Sequence, residues 1–291
     1  YIVRFVMSKR HVGCRIRAFS TDPTLGKSQA NKMSNVVKGP SLILTSLHRP
    51  EPTLMILPGL RSLPFWTNRD GQVAYQDPQV TNIVNHLQRH ASSIRDEYLT
   101  VSPSLSSSDY DKSKASTKSS GVEHGTDGSL HTGSWDWHSY LLHGQVQKPF
   151  TEQFPITTRV LGDIGADLFD QTPFGFCFFS KLSAKSTIQP HTSPINFRLR
   201  IHLPLIVPSP ESNAAATVPQ IGIRVGPSTQ AWVPNQAMVL DDSYDHEVWN
   251  QTEEERVLLL VDIWHPDVRT QERNELKEMF RHAQQKGWLN L

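Results

Sequence analysis

Gln189-Pro-His-Thr-Ser-Pro-Ile-Asn-Phe-Arg-Leu-Arg-Ile-His-Leu-Pro-Leu-Ile-Val207 decides how the rest of the chain is read. From Phe197 onward the residues alternate. Phe197, Leu199, Ile201, Leu203 and Leu205 fall on one side, and Arg198, Arg200 and His202 on the other. Successive side chains of a β-strand point to opposite faces, so the stretch predicts a half-buried strand. Its polar face is the unusual part: two guanidiniums and an imidazole in a row either meet water or hold an anion. Two-residue spacing sets His202 about 7 Å along the strand from Arg200.

A second block answers the first. Asp241-Asp-Ser-Tyr-Asp-His-Glu-Val-Trp-Asn250 leads through a polar turn into Arg256-Val-Leu-Leu-Leu-Val-Asp-Ile-Trp-His-Pro266. A His-x-Ser element, a strand, a long gap, a lone His and an Arg ten residues later form a pattern with chemical meaning. Oxygenases of the double-stranded β-helix class bind ferrous iron through two His and a carboxylate and leave positions open. In that pattern His191 and His246 are the candidate imidazole ligands. Arg200 and Arg256 are candidate anion clamps, because the guanidinium fork matches a carboxylate with two parallel hydrogen bonds.

These segments, together with Leu57-Pro-Gly-Leu-Arg-Ser-Leu-Pro-Phe-Trp66, resemble the aspartyl/asparaginyl β-hydroxylase domain over about residues 54 to 282, with one insertion. The resemblance implies a mainly β, jelly-roll (double-stranded β-helix, cupin-like) core with flanking helices. It implies an Fe(II)- and 2-oxoglutarate-dependent dioxygenase that uses O2 and hydroxylates an unactivated carbon. The target it implies is the β-carbon of Asp or Asn in a peptide or protein. Position by position, it places iron on His191 and His246, and 2-oxoglutarate on Ser180, Arg200, His202 and Arg256. Leu182 stands where the family usually has Met. Ser193 stands where the wider class has Asp or Glu and this family commonly Gly, so no third full negative charge is supplied. On spacing alone His202 is either another donor to the co-substrate or a third imidazole for iron; the resemblance assigns it to the co-substrate. Two alternatives stay open: a hydroxylase of a lipid acyl chain or small molecule, and an inactive binding module. Retention of His191, His246, Arg200 and Arg256 speaks against the last.

The remaining sequence sets the frame. The chain has 291 residues, 37% hydrophobic content and a net charge of +1, which implies no general attraction to nucleic acid or acidic membranes. It has no run of eighteen apolar residues and so no transmembrane span. Residues 1–50 are predicted to be a basic, disordered leader that adds little to the fold, and residues 51–291 the catalytic domain. Residues 1–21 are basic and free of acids, as mitochondrial or plastid transit peptides are. A first residue that is Tyr rather than Met leaves room for an upstream segment, a secretory membrane anchor included. The two cysteines, Cys14 and Cys177, make no disulfide framework, and Cys177 is expected as a buried small hydrophobe.

Asp77-Pro78 predicts a helix start, with Val80, Ile83, Val84, Leu87, Ala91, Ile94 and Tyr98 on its buried face. His86 and His90, four apart on that helix, are expected on its surface without metal. Residues 102–134, rich in Ser, Lys, Asp and Gly, predict a disordered insert. Trp135, Trp137 and His138 follow it and are candidate substrate contacts. Phe174–Ser180 is strongly β-forming. Ile221, Ile223 and Val225 predict a strand. Ala231-Trp-Val and Ala237-Met-Val-Leu predict a hairpin. A last helix from about Thr270 is expected to end at Gly287.

Overall fold

The alternation at Phe197–Leu205 is realised in the longest strands of the molecule, in a computed structural model that describes residues 4–8, 15–19, 55–105, 107–110, 130–208 and 219–287. The strands are β1 (Arg4–Ser8), β2 (Arg15–Phe19), β3 (Met55–Ile56), β4 (His131–Thr132), β5 (Trp135–Leu142), β6 (Gln145–Val146), β7 (Cys177–Leu182), β8 (Ser186–His191), β9 (Arg198–Ile206), β10 (Ile221–Val225), β11 (Ser228–Gln230), β12 (Met238–Leu240), β13 (His246–Asn250) and β14 (Arg256–Trp264). The helices are α1 (Pro78–Val101), α2 (Lys148–Gln153), α3 (Pro155–Gly162) and α4 (Thr270–Gln285).

Two antiparallel sheets build the body. The larger runs β12-β9-β14-β7-β5-β6 and the smaller β11-β10-β13-β8-β4. From β7 to β14 the chain passes back and forth between the two sheets, with β10 and β11 following one another in the smaller, as in the jelly roll predicted from the motifs. The two faces of the larger sheet do different work. Leu199, Ile201, Leu203 and Leu205 of β9 turn outward and bury against Val80, Val84, Leu87, Ala91 and Ile94 of α1. Burying each such side chain contributes about 1.5–3 kcal/mol. The opposite face, with Phe178, Leu258 and Leu260, packs against Ile188, Ile223 and Val248 of the smaller sheet. Because side chains alternate, the same strand parity that buries the leucines of β9 delivers Arg198, Arg200 and His202 to the space between the sheets. A third cluster, around Phe197, Trp264, Leu276 and Phe280, seats α4.

Helix α1 starts where Asp77 accepts a hydrogen bond from the Val80 amide at 3.2 Å, with Pro78 in the first turn. Glu97 on its last turns accepts from the Ile156 and Thr157 amides, at 2.7 and 2.8 Å, and from the Thr157 hydroxyl at 2.6 Å. That carboxylate satisfies amides which α3 leaves without a partner of its own. Gly144 turns the chain after β5 with φ +72°, and a Cβ there would lie 2.2 Å from the Thr172 carbonyl oxygen. Among the described residues no helix is long and apolar enough to cross a membrane.

Three expectations change. In the predicted leader, β1 pairs with β2 and, in parallel, with β3. The runs Arg-Phe-Val-Met and Arg-Ile-Arg-Ala-Phe are β-prone; the rest of residues 1–54 lies outside the described residues. The edges of the predicted disordered insert are ordered: Tyr110 is buried, and His131–Thr132 pairs with β8. Its centre, residues 111–129, lies outside the description. The predicted hairpin at 231–240 reduces to a single bridge between Val233 and Gln236. The first arm, residues 231–233, lies in no strand and follows β11, which pairs with β10, whereas the second arm forms β12 and pairs with β9.

Candidate iron and 2-oxoglutarate site

His191 ends β8 and His246 begins β13, and the two are register partners. Directly opposed residues of an antiparallel pair carry neighbouring side chains, and the two ring centroids lie 4.1 Å apart. Each ring is locked by its own backbone. His191 Nδ1 meets the Gln189 carbonyl oxygen at 2.7 Å, and His246 Nδ1 meets that of Tyr244 at 2.8 Å. A carbonyl only accepts, so each Nδ1 carries the proton and each Nε2 keeps its lone pair. Burial pushes the pKa of both rings down, and for His191 the neighbouring His246 adds to the fall. The result is a pair of neutral imidazoles with paired lone-pair nitrogens, the form a divalent metal takes. Among the described residues no group of three or more His, Cys, Asp or Glu is placed to hold a metal. Ser193, buried, donates its amide to the Asp242 carbonyl at 2.7 Å, and its hydroxyl brings no negative charge.

Arg256 opens β14 with 1% of its surface exposed. It does not pair with the three glutamates before it. Glu253 meets Lys185 at 2.6 Å, and Glu255 lies 3.8 Å from Lys181. The Arg256 guanidinium donates from Nη2 to Ser180 Oγ at 2.9 Å and lies 4.9 Å from the centre of the Trp232 ring. Its Nε is buried with no hydrogen-bond partner. Burial alone lowers its pKa to about 9. A buried cation with an unused donor is costly unless an anion reaches it, so the residues fit a small carboxylate. His202, on β9, has its pKa pushed well down by burial and by the charges of Arg256 and Arg200, so it stays neutral.

Arg200 differs from the expectation of a free clamp. Its Nε and Nη2 donate to the two oxygens of Asp262 at 2.8 and 3.0 Å, and Nη1 lies 3.4 Å from Asp242. Arg198 completes a buried four-charge group, 2.5 Å from Asp242 and 2.8 Å from Asp262. Burial raises the Asp242 carboxyl pKa, but Arg198 and Arg200 outweigh it and hold the group well below the usual carboxylate range. Arg200 thus shapes the site from within an ion-pair group. Asp242 and Asp262 escaped the sequence reading. One signal for Asp262 was present: it shares the face of Arg256, Leu258 and Leu260, where an inward carboxylate needs a partner.

The three candidate substrate contacts separate. Trp135 is buried and donates its indole N–H to Ser180 Oγ at 2.8 Å, so it serves the anion pocket. Trp137 stacks on Phe178 at 3.9 Å. His138 lies one residue off on the strand and points to the other face, where burial lowers its pKa among Asp109, Asp136 and Lys181. It shares no cleft with the two indoles. His86 Nε2 and His90 Nδ1 bond to the backbone carbonyls of Val160 and His86 respectively. Trp232, which touches both His202 and Arg256, carried no signal in the sequence, because a loop tryptophan announces no direction.

Residues 88–266 match the family model for aspartyl/asparaginyl beta-hydroxylase. The chain is 29% identical over 222 residues to the mouse (Mus musculus) aspartyl/asparaginyl beta-hydroxylase, covering 75% of this chain and 25% of that protein. It is 30% identical over 154 residues to Xenopus tropicalis aspartate beta-hydroxylase domain-containing protein 2, covering 51% and 39%. It is 39% identical over 88 residues to the ornithine lipid ester-linked acyl 2-hydroxylase of Rhizobium tropici, covering 30% and 29%. The chain thus spans well under half the length of each of these curated relatives.

Proposed function

Because this chain belongs to the aspartyl/asparaginyl β-hydroxylase family, we propose that it is an Fe(II)- and 2-oxoglutarate-dependent dioxygenase acting on the β-carbon of Asp or Asn in a peptide or protein. The observation that carries the proposal is the pairing of two neutral imidazoles with a buried arginine that has no carboxylate partner among the described residues. His191 and His246 would hold iron through Nε2, with their Nδ1–H bonds fixing ring orientation. Arg256, Ser180 and His202 would grip a carboxylate of 2-oxoglutarate. Iron with 2-oxoglutarate and O2, when bound, supplies the oxidising power to hydroxylate an unactivated carbon. What the chain itself contributes is placement. The locked imidazoles set the metal's position, the guanidinium sets the co-substrate's reach, and the walls formed by Phe178, Leu258 and Leu260 keep water away. The four-charge group of Arg198, Arg200, Asp242 and Asp262 stiffens the floor between them.

A second reading has its own support. The Rhizobium relative is named as an acyl hydroxylase of a lipid and is the most similar of the three over its matched stretch. In that reading the chemistry is unchanged, and an acyl chain replaces the peptide.

The test is anaerobic titration with Fe(II) and 2-oxoglutarate, followed by the metal-to-ligand charge-transfer band. The band is expected in the wild type and lost in His191→Ala and His246→Ala, and succinate formation, assayed separately with O2 admitted, is lost in both variants. Wild-type turnover in either variant would refute the assignment. Oxygen-consumption screening against peptide and lipid pools then separates the two substrate classes.

A further inference from the structure

Ser180 and His202 are ambivalent groups by nature. A hydroxyl has one proton to give and two lone pairs, and a neutral imidazole has one donor and one acceptor nitrogen. In this pocket both are committed. Ser180 Oγ accepts from Trp135 Nε1 at 2.8 Å and from Arg256 Nη2 at 2.9 Å. Indole and guanidinium N–H groups only donate, so both lone pairs are taken and the hydroxyl proton is what remains to offer. His202 Nδ1 accepts from Trp232 Nε1 at 3.2 Å. That puts the proton of the neutral ring on Nε2, again as a donor. Burial and the nearby guanidiniums keep the ring from taking a second proton. With the unused Arg256 Nε, these groups around the anion pocket present donors and no acceptor.

We propose that Trp135 and Trp232 are positioning residues that make Ser180 and His202 obligatory donors, so that the pocket selects a carboxylate and rejects the matching carboxamide. The proposal deepens the 2-oxoglutarate assignment above and rests on it for the identity of the anion. A carboxamide would bring two N–H groups to a pocket without acceptors, and buried donors facing donors are heavily penalised.

The experiment compares 2-oxoglutarate with 2-oxoglutaramate, whose far carboxylate is a carboxamide, with concentrations counted as the open-chain 2-oxo form because the amide closes reversibly onto the 2-oxo carbon. Binding to the Fe(II)-loaded full chain is read anaerobically from the charge-transfer band. The wild type is expected to prefer 2-oxoglutarate by about 100-fold or more, in line with the loss of a paired buried group. Trp135→Phe and Trp232→Phe keep an aromatic ring at each position while removing the indole N–H together with its five-membered ring. Each is expected to narrow the preference about tenfold, because Ser180 or His202 regains an acceptor. A second readout needs neither metal nor co-substrate. In ¹⁵N-histidine NMR spectra, wild-type His202 should carry its proton on Nε2, and Trp232→Phe should shift it toward Nδ1. A wild-type His202 protonated on Nδ1, or an unchanged preference in both folded variants, overturns the proposal. Should the wild type bind neither 2-oxo acid while the tautomer is as expected, the 2-oxoglutarate assignment fails and the donor arrangement stands.

Discussion

Replacing Arg256 by Met should make the protein more stable while removing its hold on the co-substrate. The guanidinium is 1% exposed, and burial lowers its pKa from the ordinary arginine value to about 9. Such a fall corresponds to roughly 5 kcal/mol against the charged form. The hydrogen bond to Ser180 and the face of Trp232 offset part of this, about 1.5–3 and up to about 2 kcal/mol respectively. The net penalty then lies between about 0 and 3.5 kcal/mol, centred near 2, which an apolar side chain of similar length removes. At the usual 2–4 °C per kcal/mol for a domain of this size, the central value makes Arg256→Met melt roughly 4–8 °C higher at pH 7. The pH dependence has a fixed sign. Below pH 9 the arginine is charged both folded and unfolded, so the penalty is fully present. As pH rises through 9 toward the ordinary arginine value the folded state sheds its proton first, the penalty is relieved, and the gap to the variant closes. Adding 2-oxoglutarate with Fe(II) at 100 times its dissociation constant should raise wild-type stability by about 2.7 kcal/mol and leave the variant unmoved. Scanning fluorimetry at pH 7 and 9.5, with and without the co-substrate, measures all of this. A variant that melts lower than the wild type, or that still responds to 2-oxoglutarate, refutes the view of Arg256 as a buried cation awaiting an anion.

Other perturbations test the frame around the site. Asp262→Asn leaves two buried guanidiniums sharing one carboxylate and should cost about 3–5 kcal/mol in urea unfolding; a loss under 1 kcal/mol would show the group to be solvated. Because the Asp242 carboxyl is held below its unfolded value, its stabilisation is complete above about pH 4. It drains away as pH falls further, so acid unfolding monitored by circular dichroism should steepen below pH 4. Glu97→Gln weakens three charge-assisted bonds to the start of α3 and should cost about 1.5–3 kcal/mol, with hydrogen exchange rising first at Ile156 and Thr157. Gly144→Ala forces a Cβ to within 2.2 Å of the Thr172 oxygen at φ +72°. It should destabilise by about 2 kcal/mol or more, well beyond the helix-propensity scale, in a thermal melt.

Strand parity is a local property, and for that reason much of the site was legible from residues alone. Once Phe197–Leu205 is a strand with its leucines buried, Arg198, Arg200 and His202 must share the opposite face. Once Arg256–Trp264 is a strand, Arg256 and Asp262 share one too. The helix cap at Asp77, the stripe of α1 and the interior position of Cys177 follow from equally short-range rules. What no local rule supplies is the partner across the gap. Whether Arg200 meets a ligand or Asp262 depends on the register of β9 against β14, and that register is set by the whole ladder. Whether Trp135 touches a substrate or Ser180 depends on which strand lies beside β5. Trp232 is the extreme case, since it sits in a loop with no periodicity, and only the divergence of β11 and β12 into separate sheets swings its ring onto His202 and Arg256. Sequence alone therefore determined which chemical groups face the interior, because alternation is written into the backbone. Only the tertiary structure decided which of them are spent on each other and which are left for a ligand, because pairing is a property of distance between strands far apart in the chain.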